Sequence, residues 1–168
     1  MLADISNRFT FRKWSQGSYS YKEASGELGV PGQVMTHRSV SAQRLISSGT
    51  GEHAGHLIGI QFGPPGDERN LSLQNPNMNT FAPTALHEAF RGPGGSYHDL
   101  ESRWSARLKE GYRVVVTVRD KFRAGEQRPF SRYVEWFETP PNGSQGPKQS
   151  LEFGNFSSPQ GRRATGQA

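Results

Sequence analysis

GEHAGHLIGIQFGPPGDERNLSLQNPNMN, residues 51–79, places two histidines three apart, a glycine-rich turn and six side-chain amides in one short span. Leu57, Ile58 and Ile60 follow His56 and predict either the end of a strand or a turn seated on the core. Gly63-Pro64-Pro65-Gly66-Asp67 then breaks any regular structure. Asn70, Asn75, Asn77 and Asn79 are interleaved with Leu71, Leu73 and Met78, the pattern of an amide-rich loop anchored in one shape by its apolar members.

Downstream, Thr80 to Gly95 holds Pro83, Pro93 and several glycines and is expected to be a surface insertion. Ser96-Tyr97-His98-Asp99 has the form of a helix N-terminal cap with an acid three residues on. Tyr97, Leu100, Trp104 and Leu108 then recur at helical spacing, and Gly111 ends the run. Tyr112 to Arg119 alternates apolar and polar residues as a half-buried strand does. Phe130 to Glu138 supplies a second strand, so the pair predicts a β-hairpin.

Upstream, Ser18 to Lys22 and Gln33 to His37 suggest short antiparallel strands, with Ser47 to Gly51 a loop leading into the central stretch. Three regions are expected: a lead-in over residues 1–17, a domain over 18–139, and a flexible tail over 140–168 that opens with Pro-Pro-Asn-Gly-Ser. The fold class is α+β with an antiparallel sheet.

Composition narrows the partners. The 168 residues suit one domain, and the absence of cysteine excludes disulfides, cysteine-bound zinc and thiol nucleophiles. A net charge of +5 with a pI near 9.8 points to a polyanion. No apolar run approaches the length of a membrane span, and the first residues lack the apolar block of a secretory signal.

The central stretch carries the chemistry. A neutral imidazole at His56, fixed on a turn beside an amide-rich loop, can accept a proton from water attacking phosphorus. Isolated histidines are more often structural, and position is what favours this one. His53 and His56 lack the four-residue spacing and following glutamate of a zinc-protease helix, since Glu52 precedes His53. His53 and Glu52 are therefore assigned to orienting the site. Asparagines in such loops mostly satisfy their own backbone. Yet a hydrated Mg²⁺ needs only one or two protein oxygens, which a single asparagine can supply. Arg69, Arg103, Arg107, Arg113, Arg119, Lys121 and Arg123 are singly ordinary surface charges. Together, on a helix and a hairpin, they could track phosphates. Glu101 is by default a solvated helix residue, but it sits at the margin of the apolar stripe, where a carboxylate can face a neighbouring loop.

The ordered set His53-Ala54-Gly55-His56-Leu57-Ile58-Gly59, Asn70-Leu71-Ser72-Leu73-Gln74, Asn79 and Leu100-Glu101 resembles the DNA/RNA non-specific endonucleases. The likeness runs from about Ser18 to Phe137 and is greatest to their bacterial polymorphic-toxin branch. It implies a ββα-metal (His-Me finger) core with His56 as general base, Asn79 as direct metal ligand, and Asn70 as the amide that shapes the site. Glu101 would hold metal-bound water. It departs from the family at His53, where an aspartate is usual, and at Ala54, where secreted relatives carry arginine. Arg69 or a hairpin arginine is expected to supply that charge. The insertion also lengthens the link from Asn79 to the helix.

The resemblance implies a Mg²⁺-dependent enzyme, with Mn²⁺ as an alternative ion, that cuts DNA and RNA with little sequence preference. As a toxin domain it would be delivered or secreted within a larger effector, act in a target cell's cytoplasm and be neutralised by a cognate immunity protein. The alternative is a basic nucleic-acid-binding domain that has lost catalysis, for which His53 in place of aspartate is the motive.

Overall fold

A run of valines sets the architecture. Val114, Val116 and Val118 point to one side of a strand and are buried, while the residues between them carry charge or lie at the surface. The computed structural model describes residues 1–50, 53–74 and 96–154. In it this strand, β5 (Arg113–Arg123), is the centre of a five-stranded antiparallel sheet. Its neighbours are β2 (Tyr19–Glu27) and β6 (Ser131–Thr139). The edges are β1 (Thr10–Gln16) beside β2, and β7 (Gln149–Gly154) beside β6.

Two of these strands lie where the sequence predicts none. The lead-in over 1–17 contains β1, which pairs along its whole length with β2 and stacks Trp14 on Tyr21. The tail expected to be flexible from residue 140 instead contributes β7, whose Phe153 is buried against Tyr97. Proline and glycine at 140–147 mask that strand, because they form the turn that returns the chain to the sheet.

The long helix follows the expected signals. It spans Tyr97–Lys109, with Ser96 and Asp99 forming a reciprocal capping box, and Gly111 at φ 93° closes it. It is the second helix among the described residues, α2; α1 (Val40–Ser47) forms where the sequence predicts no element and ends in the expected loop at Ser47. Ser39 caps α1 by accepting from the Ala42 N–H. Gln33–His37 is not a strand; Val34 makes a single bridge to Ala3.

One face of the sheet and α2 enclose the core. Trp104 meets Phe62, Tyr97 and Trp136 edge-on, with Leu57, Ile58 and Leu100 packed around them. A two-stranded ribbon, β3 (His53–His56) with β4 (Leu71–Gln74), lies on this same side. Strand, strand and helix α2 together give the expected ββα arrangement on an antiparallel sheet.

Candidate active site

His56 ends β3, and the loop it leads into is built as a fixed object. Leu57 and Ile58 are fully buried, so the expected core-seated turn forms and the strand stops at His56. Asn70 staples the loop shut from its far end. Its Nδ2 donates to the Ile58 carbonyl at 2.8 Å and the Pro65 carbonyl at 3.0 Å, and its Oδ1 accepts from the Ile58 N–H at 3.0 Å. Three of the four bonding directions of this buried amide are turned inward on the backbone, both of its donors among them, so Asn70 shapes the loop.

Two glycines let this loop pack closely. A side chain at Gly66 would meet the His37 carbonyl oxygen at 1.8 Å, and one at Gly55 would strike the Gln74 amide at 2.3 Å. Gln74 uses that space to donate to the His56 carbonyl at 3.1 Å.

Beneath the histidine lies a buried charge network. Arg132, wholly enclosed, binds both oxygens of Asp120 at 2.6 and 2.8 Å and donates to the His56 carbonyl at 3.2 Å. The Ser72 hydroxyl completes the Asp120 carboxylate, and the Tyr97 hydroxyl bonds the Leu57 carbonyl. The Arg132 guanidinium also stacks 4.7 Å from the centre of the Tyr97 ring. A buried ion pair is expensive to desolvate. Here it is bidentate and fully hydrogen-bonded, and it ties β5 and β6 to the end of β3.

The electrostatics keep His56 neutral. Burial, with repulsion from Arg38 and Arg132, lowers its pKa to about 4. Its Nε2 is enclosed and without a hydrogen-bond partner among the described residues. An imidazole that stays neutral at ordinary pH keeps one ring nitrogen with a lone pair able to accept a proton.

Glu101 of α2 turns toward the same loop rather than toward solvent. Its Oε2 accepts from the Gly59 N–H at 2.7 Å, a contact that needs a bare Cα at residue 59. Burial raises its pKa to about 7 against the opposing pull of that bond and of Arg132. His56 and Glu101 thus both feel the Arg132 charge, from elements 45 residues apart in sequence.

Among the described residues no three His, Asp or Glu side chains gather as a ready-made metal cluster. A cation that keeps most of its own water needs no such cluster, and a poorly solvated carboxylate with one backbone donor suits it. Glu101 fits that role. Asn79, the expected direct ligand, lies outside the described residues, as do Glu52 and the whole insertion over 80–95.

The remaining sequence candidates are distributed differently from expectation. His53 and His56 are three apart on a strand, so they project to opposite sides, and His53 is exposed at the start of β3. Arg69 is clasped by Asp67 through two bonds of 3.0 and 2.8 Å and lies over the Phe11 ring. Arg103 and Arg107 of α2 both pair with Glu138, at 3.4 and 3.3 Å. Arg119, Lys121 and Arg123 alternate with Val118, Asp120 and Phe122 and so face the opposite side of the sheet from Asp120 and Arg132. The expected single phosphate-tracking surface on helix and hairpin is therefore not formed. The cations that act on His56 are Arg38 and Arg132, neither of them among the residues expected at the site. Arg38 sits directly before the Ser39 cap, a signal that could have placed it.

Residues 32–136 match the family described as DNA/RNA non-specific endonuclease, a span of more than half the chain that contains His56, Asn70, Asn79, Glu101 and Arg132. Two solved structures share the fold with a TM-score of 0.51 each. One, an "extracellular endonuclease", is 15% identical, and the alignment covers 94% of this chain and 83% of that one. The other, an "extracellular nuclease", is 14% identical, with 92% and 89% covered. No curated protein matches. The geometry around His56 and the family match agree, and the chain belongs to the DNA/RNA non-specific endonucleases, a family of metal-dependent nucleolytic hydrolases.

Proposed function

We propose that this protein is a Mg²⁺-dependent nuclease that cuts DNA and RNA with little regard to sequence, and that His56 is its general base. What supports this reading is a neutral imidazole held at the end of β3, inside the span matched by the endonuclease family. His56 takes the proton of the attacking water. Arg132 and Gln74 fix its backbone carbonyl, so the main chain that carries the ring is held in place before substrate arrives. Arg38 adds positive charge near enough to lower the His56 pKa. Asn79 and Glu101 would hold the ion, Asn79 directly and Glu101 through water. When bound, Mg²⁺ would neutralise the phosphate and favour the leaving oxygen.

The same reading makes the chain the toxin domain of a larger delivered or secreted effector, held in check by an immunity protein. It is supported by the resemblance in the 53–101 region and by the basic charge.

A plasmid and a structured RNA incubated with the protein, with and without EDTA, test the reading. Both should be degraded with Mg²⁺ and spared with EDTA. His56→Ala should reduce cleavage by at least about a thousandfold while leaving the circular dichroism spectrum intact. Full activity of that variant would overturn the assignment, and binding without metal-dependent cutting would favour a catalytically silent nucleic-acid binder.

A further inference from the structure

The sheet face turned away from His56 is not bare. Strand register places Trp14 beside Tyr21 on it, and Tyr19 opposite Arg123. Rings and cations alternate across this surface. Trp14 stacks on Tyr21 with centroids 5.1 Å apart. The Lys121 ammonium lies 4.1 Å from the centre of the Tyr19 ring, and the Arg123 guanidinium 4.1 Å from that of Phe130. Tyr19 and Phe130 are themselves 5.8 Å apart.

The charge on this face is uneven. Glu23 takes up both Arg12 and Arg119 at one end. Lys121 and Arg123, at the other, have no carboxylate within ion-pair distance among the described residues. Tyr19 beside them remains 38% exposed. Cations that lie over aromatic rings and have no carboxylate to neutralise them match one chemistry well: a flexible polyanion that carries flat groups at regular intervals, able to stack on the rings' other faces. Single-stranded nucleic acid is that polymer, because its bases are free to stack and its phosphates are close enough to reach the neighbouring cations. A duplex offers only its phosphates to such a surface, since its base faces are already covered.

We propose that this face is a second, non-catalytic platform for single-stranded nucleic acid, with bases on Tyr19 and Phe130 and phosphates on Lys121 and Arg123. The proposal rests on the nuclease reading. It gives the enzyme a way to hold a strand on one side of the sheet while the His56 side cuts.

Binding is measured by fluorescence anisotropy with a labelled 12-nucleotide single strand and a duplex of equal length, in His56→Ala protein without Mg²⁺ so that nothing is cleaved. Tyr19→Ala should weaken single-strand binding about tenfold and leave duplex binding within about twofold. Lys121→Gln with Arg123→Gln should reduce the slope of log affinity against log salt by about 1.4 for the single strand, at about 0.7 per lost phosphate contact. Urea unfolding midpoints equal to the parent's establish that the variants fold. Equal weakening of strand and duplex by Tyr19→Ala overturns the single-strand assignment. Unchanged affinity and slope in all variants overturn the platform and leave the face to a protein partner. Failure of the unmutated protein to degrade plasmid or RNA with Mg²⁺ sinks the nuclease reading, and the anisotropy result stands apart from it.

Discussion

His56 and Glu101 sit on opposite sides of their ordinary protonation behaviour, and stability should reveal it. The histidine's pKa falls from 6.5 to about 4 on folding, so its contribution is present above pH 6.5 and is lost as pH drops toward 4. The glutamate's rises from 4.5 to about 7, so its contribution is present below pH 4.5 and is lost as pH climbs toward 7. Between about 4.5 and 6.5 the two slopes oppose, each worth up to about 3 kcal/mol over its full window. Urea midpoints of the unmutated protein should therefore be nearly level there. Glu101→Gln should become steadily less stable on acidification, whereas His56→Ala should become less stable as pH rises. Parallel profiles for the two variants would contradict this pairing. Around them, Lys22 is buried enough that its pKa falls to about 8, despite the nearby Asp120, and it bonds the Glu68 and Leu71 carbonyls under the ribbon.

At the scale of elements, the loop between β3 and β4 decides whether His56 is in place. Gly66 passes against the backbone of residues 37–38, which leads into α1, and this is contact with main chain rather than with a yielding side chain. Gly66→Ala should separate α1 from the loop, lower stability by at least about 2 kcal/mol and reduce cleavage with it. A thermal melt and a plasmid assay on the same preparation would show whether both fall together. Helix α2 responds more simply. Ser96→Ala removes half of the capping box and should cost about 1 kcal/mol by urea titration.

These elements also show what sequence alone makes legible. Helix α2 and the β5–β6 hairpin were readable because cap, period and alternation are local signals. The ribbon was half readable: the histidine and amides marked the site, but Leu71–Gln74 is a strand inside a stretch that looks like loop. Helix α1 was hidden, since Ser39 to Ser47 carries few strong apolar residues and leaves Leu45 exposed.

The whole molecule corrects the reading of charge and of the chain's ends. Counting arginines predicts a partner, but only pairing register says which side of a sheet each one occupies, and a shift of one residue reverses the answer. Arg132 was invisible for the same reason, as one basic residue among many until Asp120 was seen beside it. The C-terminal strand gives a direct test. Phe153 is 1% exposed and packs on Tyr97, so Phe153→Ala should cost about 3–5 kcal/mol in urea. A loose tail would cost nothing.

Arg132 is translated well after His56, and the His56 carbonyl has no guanidinium to rest on until β6 pairs with β5. A polypeptide still emerging from the ribosome thus bears its imidazole without the framework that aims it. Such a timing would spare the RNA of the very machine that is synthesising the enzyme.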